Sequence, residues 1–174
     1  MNSKYAPYII AFIAIVGFIV RATYWYPLLP DTAAIHFGFD GNADNWSDKM
    51  ELIYIIGGLM MFLTSLFFGL PVFIRKLPDS MINLPNKEYW LASERRDFAL
   101  AALGRFLNEI GSRTLLLVAV VFEITCRANI LKPAYLAPQT FLLILGMFLF
   151  SIIVPIVYLV KQFSNPEKHL LNSN

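Results

Sequence analysis

The sequence contains few charged residues and a single cysteine. Of its 174 residues, 15% are charged and 57% are hydrophobic, which is less charge and more apolar material than a soluble domain carries. Cys126 alone forms neither an internal disulfide nor a cysteine metal site. The net charge is only +2 and no basic stripe is interleaved with aromatic residues, which argues against nucleic-acid binding. The composition is that of a membrane protein with one small domain.

Motifs for catalysis are also missing from the sequence. It has no Ser/His/Asp set, no paired-histidine metal motif, no phosphate-binding glycine loop and no dinucleotide fingerprint. Each of these chemistries needs particular residue types at a fixed spacing. We therefore predict a protein that is not an enzyme and that holds no cofactor, with calcium as the one candidate metal.

Four apolar segments dominate the chain. We predict an all-α integral membrane protein with a single domain, 1–174, whose transmembrane helices lie at about 6–26, 52–74, 107–126 and 140–160, with an outer loop at 27–51 and a cytoplasmic loop at 75–106. About 20 helical residues, at roughly 1.5 Å each, cross a hydrocarbon core of about 30 Å. The third segment differs because it includes Glu109, Arg113 and Glu123. Glu123 must face protein, water or a partner such as Arg127, one turn further along.

The distribution of basic residues predicts the orientation. Residues 75–113 hold seven of the fourteen Lys and Arg residues, so the positive-inside rule places this segment and both termini in the cytoplasm. A cleaved signal at 6–20 is an alternative for the first segment, although the residues after it make a poor cleavage site. Arg21 is expected to extend its charge towards the headgroups. The polar tail 165–174 is predicted to be a short disordered end.

The outer loop combines rigid turns with aromatic anchors. Pro27 and Pro30 each fix φ and remove a backbone donor, so a helix arriving from the N-terminus ends here. Asx residues around Gly41 supply further turn chemistry. Aromatic residues of the kind that settle at headgroup depth accompany these turns: Tyr24, Trp25, Tyr26 and Trp46. We predict a structured loop resting on the bilayer.

Oxygen-bearing side chains in this loop follow the spacing of a calcium-binding loop. Positions 1, 3, 5, 9 and 12 of that pattern are occupied by Asp40, Asn42, Asp44, Asp48 and Glu51. Position 6, where glycine is usual, is Asn45. Local hydrogen bonds that cap turns explain the same residues, and we favour that explanation over a metal site.

His36 is the only histidine outside the C-terminal tail. Histidine titrates near physiological pH, so His36 is a candidate proton sensor on the outer face. A structural hydrogen bond that shapes the loop is the simpler alternative, and we favour it.

The predicted cytoplasmic loop begins with turn formers and becomes helical near Ser93, which is placed to cap a helix. Tyr89 and Trp90 are expected to anchor at the inner headgroups. Arg95 and Arg96 are expected to meet lipid phosphate or an acidic partner surface. We therefore predict a compact folded element here.

Two motifs of the sequence resemble a known bacterial membrane family. The first consists of Leu29-Pro30, Ile35-His36-Phe37, Gly41, Asp44 and Lys49. The second consists of Asn83-Leu84-Pro85-Asn86-Lys87-Glu88-Tyr89-Trp90-Leu91 followed by Glu94-Arg95-Arg96. Their order and content are similar to the family of domain of unknown function 1648, which also begins the SdpI-type toxin-immunity proteins. The family often has Pro directly before the His, where this chain has Ile35.

The resemblance implies a multi-pass protein of the bacterial cytoplasmic (inner) membrane that acts in immunity or signalling. On this hypothesis the outer loop recognises a ligand or peptide toxin, and the cytoplasmic motif meets a partner. The outer residues concerned are Pro30, His36, Phe37, Gly41, Asp44 and Lys49, and the cytoplasmic ones are Asn83, Pro85, Asn86, Lys87, Tyr89, Trp90, Arg95 and Arg96. The rival hypothesis is an accessory or assembly subunit of a larger membrane protein complex. A small transporter is disfavoured, because the first, second and fourth predicted spans offer no ionisable group at the membrane midplane.

Overall fold

A computed structural model describes residues 3–166 as long helices with one β-hairpin. The elements are α1 (Ala6–Trp25), β1 (Thr32–Phe37), β2 (Ala43–Asp48), α2 (Lys49–Phe73), α3 (Lys87–Trp90), α4 (Arg96–Asn129) and α5 (Pro138–Ser164). Single 3-10 turns lie at Ser3–Tyr5, Ile74–Lys76 and Asp79–Met81. From residue 167 onwards, the tail predicted to be disordered lies outside the described residues.

Three helices in residues 3–166 are long and apolar enough to cross a membrane: α1, α2 with the turn that follows it, and α5. They coincide with the predicted spans at 6–26, 52–74 and 140–160. Proline stands in the first turn of α1 and of α5, where its fixed φ suits the helix and its missing N–H costs nothing. A mostly helical membrane protein is thereby confirmed, whereas a crossing by residues 107–126 stays a prediction.

The predicted third segment lies within α4, which is the longest helix and packs against α1, α2 and α5. Several of its buried residues are small or polar, among them Gly111, Ser112 and Thr125. Polar groups inside a membrane are tolerated when they face protein. The small and polar residues of α4 are buried where it packs against three apolar helices.

The predicted outer loop contains an antiparallel β-hairpin that sequence patterning did not indicate. β1 pairs with β2, and the register shifts around His36. Ala33 and Ala34 are adjacent and both fully buried, so burial in β1 does not alternate as in a regular half-buried strand. Asp48 ends the hairpin and caps α2, because its side chain accepts a hydrogen bond of 2.7 Å from the Met50 amide.

Residues 74–95 form a compact segment at the opposite end of the bundle, which we call the basal end. Its apolar cluster, shared with α4 and α5, consists of Ile82, Leu84, Trp90, Leu91, Ala99, Leu100, Ala102 and Phe163. The predicted compact element is therefore present. The expected Ser93 cap is wrong, because Ser93 lies in a turn and Arg95 occupies the position before α4.

Glycines of α4 allow α2 to approach it closely. A Cβ built on Gly111 would lie 2.3 Å from Phe67 Cβ, and one on Gly104 would lie 3.2 Å from Pro71 Cβ. A Cβ on Gly58 of α2 would meet no atom within 4 Å. Small residues at such crossings are the usual means of close helix packing in membranes.

We expect Gly111→Ala to lower the free energy of unfolding by about 1–3 kcal/mol, because the added methyl group must push α2 away from α4. Gly58→Ala is the matched control, and we expect it to leave stability unchanged or to raise it by up to about 1 kcal/mol through helix propensity. Circular dichroism of the purified protein in detergent measures both. Equal melting temperatures of the two variants would contradict the close contact.

Candidate recognition site at the hairpin end

The hairpin is fixed to the bundle by Asn129, the last residue of α4. Asn129 Oδ1 accepts a hydrogen bond from the Ala34 amide at 2.6 Å, and Asn129 Nδ2 donates to the Ala34 carbonyl at 3.0 Å. Asn129 Nδ2 also donates to the Thr125 carbonyl at 3.0 Å. The buried side-chain amide of Asn129 thus forms two hydrogen bonds with the backbone of Ala34, as a residue of a neighbouring strand would. Because a buried polar group is costly when unpaired, this contact specifies one position of the hairpin on the bundle.

Lys49 and Gly41 secure the base and the tip of the hairpin. Lys49 Nζ donates to Asp31 Oδ1 at 2.9 Å, and this hydrogen bond holds the pKa of the Asp31 carboxyl below its usual value. Gly41 has φ of 85°, and a Cβ there would lie 2.5 Å from the Leu136 carbonyl oxygen. The Gly41 carbonyl accepts from the Leu136 amide at 2.9 Å. Position 41 therefore requires glycine both for its backbone conformation and for its contact with the α4–α5 connection.

Beneath the hairpin, Glu123 of α4 accepts hydrogen bonds from three side chains. Arg21 donates from Nε at 2.8 Å and from Nη2 at 3.0 Å. Trp25 Nε1 and Arg127 Nε each donate at 2.8 Å. The predicted pairing of Glu123 with Arg127 is confirmed. Arg21 is held by Glu123, and its Cζ atom lies 4.4 Å from the centre of the Tyr24 ring, whereas its extension towards the headgroups stays a prediction.

The hairpin exposes a polar pair and two aromatic rings. His36 Nδ1 lies 2.5 Å from Asp44 Oδ1, and both side chains are more than half exposed. Phe39 in the turn is fully exposed, and Trp46 is about half exposed. We call His36, Phe39, Asp44 and Trp46 the tip surface. It combines exposed aromatic side chains with a hydrogen-bonding pair. The hairpin backbone that carries them is held by hydrogen bonds to Asn129 and Leu136.

The hairpin and the adjoining parts of α1 and α2 match a known family model. Residues 12–61 match the domain of unknown function DUF1648. No curated protein and no solved structure matches the chain. The DUF1648 match contains the whole hairpin and so confirms the resemblance carried by the first motif. Asn129 and Leu136, which form hydrogen bonds with the hairpin, lie beyond the matched residues.

Within the DUF1648 region, the predicted calcium ligands make separate local contacts. The Asp40 carboxylate accepts one hydrogen bond from Asn42 Nδ2 at 2.7 Å and one from the Asn42 backbone N–H at 3.1 Å. These hydrogen bonds lower the pKa of the Asp40 carboxyl. Asp48 caps α2, and Ser47 donates to Glu51. In the part of the chain that the structure describes, no group of three His, Cys, Asp or Glu residues is arranged to hold a metal. These contacts are the turn and cap hydrogen bonds favoured above.

We expect addition of calcium to leave the hairpin unchanged, because its turn and caps are already formed by protein hydrogen bonds. Trp46 fluorescence and calorimetry of the purified chain in detergent test this, with Asp44→Ala as the matched variant. Saturable binding at micromolar calcium that Asp44→Ala abolishes would establish a metal site instead.

The second motif closes the basal end of α5. Asn86 Nδ2 and Trp90 Nε1 each donate to the Phe163 carbonyl at 2.9 Å. Phe163 belongs to the last turn of α5, where carbonyl groups lack intrahelical partners. Asn86 adopts a left-handed conformation with φ of 52°, which asparagine tolerates better than most residues. The motif therefore caps α5 with side chains from a segment more than 70 residues earlier.

Arg95 and Arg96 make contacts inside the same segment. Arg96 Nε donates to Asp79 Oδ1 at 2.9 Å. Arg95 Nε donates to the Tyr89 carbonyl at 2.9 Å, and Arg95 Cζ lies 4.2 Å from the Tyr89 ring. Three other residues of the motif reach the surface: Asn83 and Pro85 are exposed and Lys87 is half-buried. In the first motif, Pro30 is exposed and Phe37 is half-buried.

Proposed function

We propose that this chain is a non-enzymatic, multi-pass membrane protein whose tip surface recognises a ligand or peptide toxin, in the manner that its resemblance to the SdpI-type immunity family implies. The full exposure of Phe39, in the turn between His36 and Asp44, is the observation that carries the proposal. Exposed aromatic side chains contribute much of the energy of recognition when they are anchored in a partner pocket. The hairpin is also preorganised by Asn129 and Gly41, so binding would cost little backbone entropy.

The proposal includes four membrane crossings with both termini in the cytoplasm of a bacterial inner membrane. The position of α4 between three apolar helices supports the fourth crossing. The many Lys and Arg residues of 75–113 support a cytoplasmic basal end. Reporter fusions after Asn86 test the orientation. An exterior location there would place the tip surface in the cytoplasm and refute the proposal.

Site-specific photo-crosslinking in living cells tests recognition. A photoreactive residue at Phe39 should give one discrete product whose mass identifies a secreted peptide, and Asp44→Ala should remove that product. Phe150 on α5 is also exposed and apolar, so the same residue placed there is the control for contact with lipid and other membrane components. Identical products from both positions would refute recognition by the tip surface. A resident membrane protein at fixed stoichiometry would instead favour the accessory-subunit hypothesis.

A further inference from the structure

A cavity of about 690 Å³ lies at the basal end between α1, α2 and α4. Three cations line it: Lys4 before α1, Arg75 after α2, and Arg105 on α4. Among residues 3–166, the side chains of Arg75 and Arg105 have no acidic partner. The lining carboxylate, Glu109, is paired with Arg113 at 3.5 Å. The cavity is therefore electropositive and large enough for a small ligand or a headgroup.

Asn108, which lines this cavity, carries an unpaired acceptor. Asn108 is only 8% exposed, and its Nδ2 donates a hydrogen bond of 2.9 Å to the Tyr8 hydroxyl. Asn108 Oδ1 is buried and has no hydrogen-bond partner in the described part of the chain. Leaving a buried acceptor unpaired costs stability, so a bound hydrogen-bond donor would be favoured there.

We propose that this cavity binds the headgroup of an anionic phospholipid that carries both a phosphodiester and a hydroxyl group, the chemistry of phosphatidylglycerol. Arg75 and Arg105 bind the phosphate, for which the guanidinium group is well suited. The headgroup hydroxyl donates to Asn108 Oδ1 once the side chain turns this buried atom towards the cavity. Basic pockets between membrane helices at headgroup depth bind anionic lipids in this manner.

The apolar rim favours a lipid over a soluble phosphate ester. Val72 lines the cavity and is 65% exposed, and Phe73 beside it is 58% exposed. Tyr8 of α1 also lines the cavity and is 51% exposed. Acyl chains leaving the headgroup would cover these side chains, whereas a soluble ester would leave them exposed.

Native mass spectrometry of the full chain tests the proposal. The purified protein is equilibrated with equal amounts of phosphatidylglycerol, phosphatidylmethanol and phosphatidylethanolamine. We expect retention of phosphatidylglycerol over phosphatidylethanolamine, reduced about tenfold by Arg75→Gln with Arg105→Gln. Phosphatidylmethanol has the same charge without the hydroxyl, so Asn108→Leu should abolish the preference for phosphatidylglycerol over it. Lys132→Gln, at the other end of the bundle, is the single-charge control for Arg105→Gln.

Three outcomes would overturn the assignment. They are equal retention of phosphatidylglycerol and phosphatidylethanolamine by the wild type, equal effects of Arg105→Gln and Lys132→Gln, and displacement of the lipid by soluble glycerol 1-phosphate. The last outcome would identify a site for a free phosphate ester. Because Arg75 and Arg105 make no ion pair within residues 3–166, their replacement should not unfold the chain, and circular dichroism checks this.

Discussion

Glu123→Ala is expected to lower the free energy of unfolding by about 2–4 kcal/mol. The substitution removes an acceptor of four hydrogen bonds, from Arg21, Trp25 and Arg127. Arg21 and Trp25 lie at the end of an apolar helix, where an unpaired cation and an unpaired indole N–H are costly. The side chain of Glu123 is only 22% exposed, so water would replace the lost acceptor incompletely. The same change should loosen α1 from α4 directly below the hairpin.

Glu109→Ala is the matched control, because Glu109 lies on the same helix and makes one ion pair, with Arg113 at 3.5 Å. Pairs at this spacing contribute about 0.5 kcal/mol, so Glu109→Ala should change stability little. Denaturation in mixed micelles, followed by circular dichroism, compares the variants. A double-mutant cycle with Arg21→Gln measures the coupling between Arg21 and Glu123. If Glu123→Ala lowered the free energy of unfolding no more than Glu109→Ala, the four hydrogen bonds would stabilise the fold no more than the Glu109–Arg113 ion pair does.

The helices were predictable because each requirement for crossing a membrane is local. An uncharged run of about 20 residues is read from consecutive positions, and α1, α2 and α5 follow such runs. α4 is the informative exception. It extends beyond residues 107–126, from Arg96 to Asn129, and it packs against α1, α2 and α5. Hydropathy does not measure that contact.

The hairpin could not be predicted because its stability comes from distant residues. Ala33 and Ala34 of β1 are consecutive and both buried. The sequence therefore lacks the alternation of buried and exposed residues by which a half-buried strand is recognised. Its second pairing partner is the side chain of Asn129, 95 residues away from Ala34. Gly41 predicted a turn, but nothing in the sequence indicated its hydrogen bond with Leu136. Turn chemistry is local, whereas the surface against which a short strand packs is not.

The contacts of Glu123 illustrate the same limit for charged residues. Arg127 lies one turn away on the same helix, so its pairing followed from helical spacing. Arg21 lies 102 residues earlier, and nothing in the sequence assigns it to Glu123. A single cation at the end of an apolar helix is compatible both with extension to the headgroups and with an ion pair. The packing of α1 against α4 forms the ion pair, which the sequence alone did not assign.

Trp90→Ala is expected to lower the free energy of unfolding by about 3–5 kcal/mol, the largest effect of any substitution considered. Trp90 is 1% exposed and fills the apolar cluster at the basal end. Its ring centroid lies 5.2 Å from that of Phe163 and 4.9 Å from that of Tyr89. Its removal leaves a cavity and takes away one of the two side-chain donors to the Phe163 carbonyl. The C-terminal turn of α5 should therefore fray together with the second motif.

Two variants separate packing from hydrogen bonding at this position. Trp90→Phe keeps an aromatic ring in the cluster but removes the N–H donor, so we expect a smaller loss of about 1–2 kcal/mol. Trp46→Ala is the control for loss of an indole, because Trp46 is about half exposed, and it should change stability by about 0.5 kcal/mol or less. Melting curves in detergent rank the three variants. Since Asn86 still donates to Phe163 in each, a loss for Trp90→Phe as large as that for Trp90→Ala would mean that the hydrogen bond, and not the packing of Trp90, holds the basal end together.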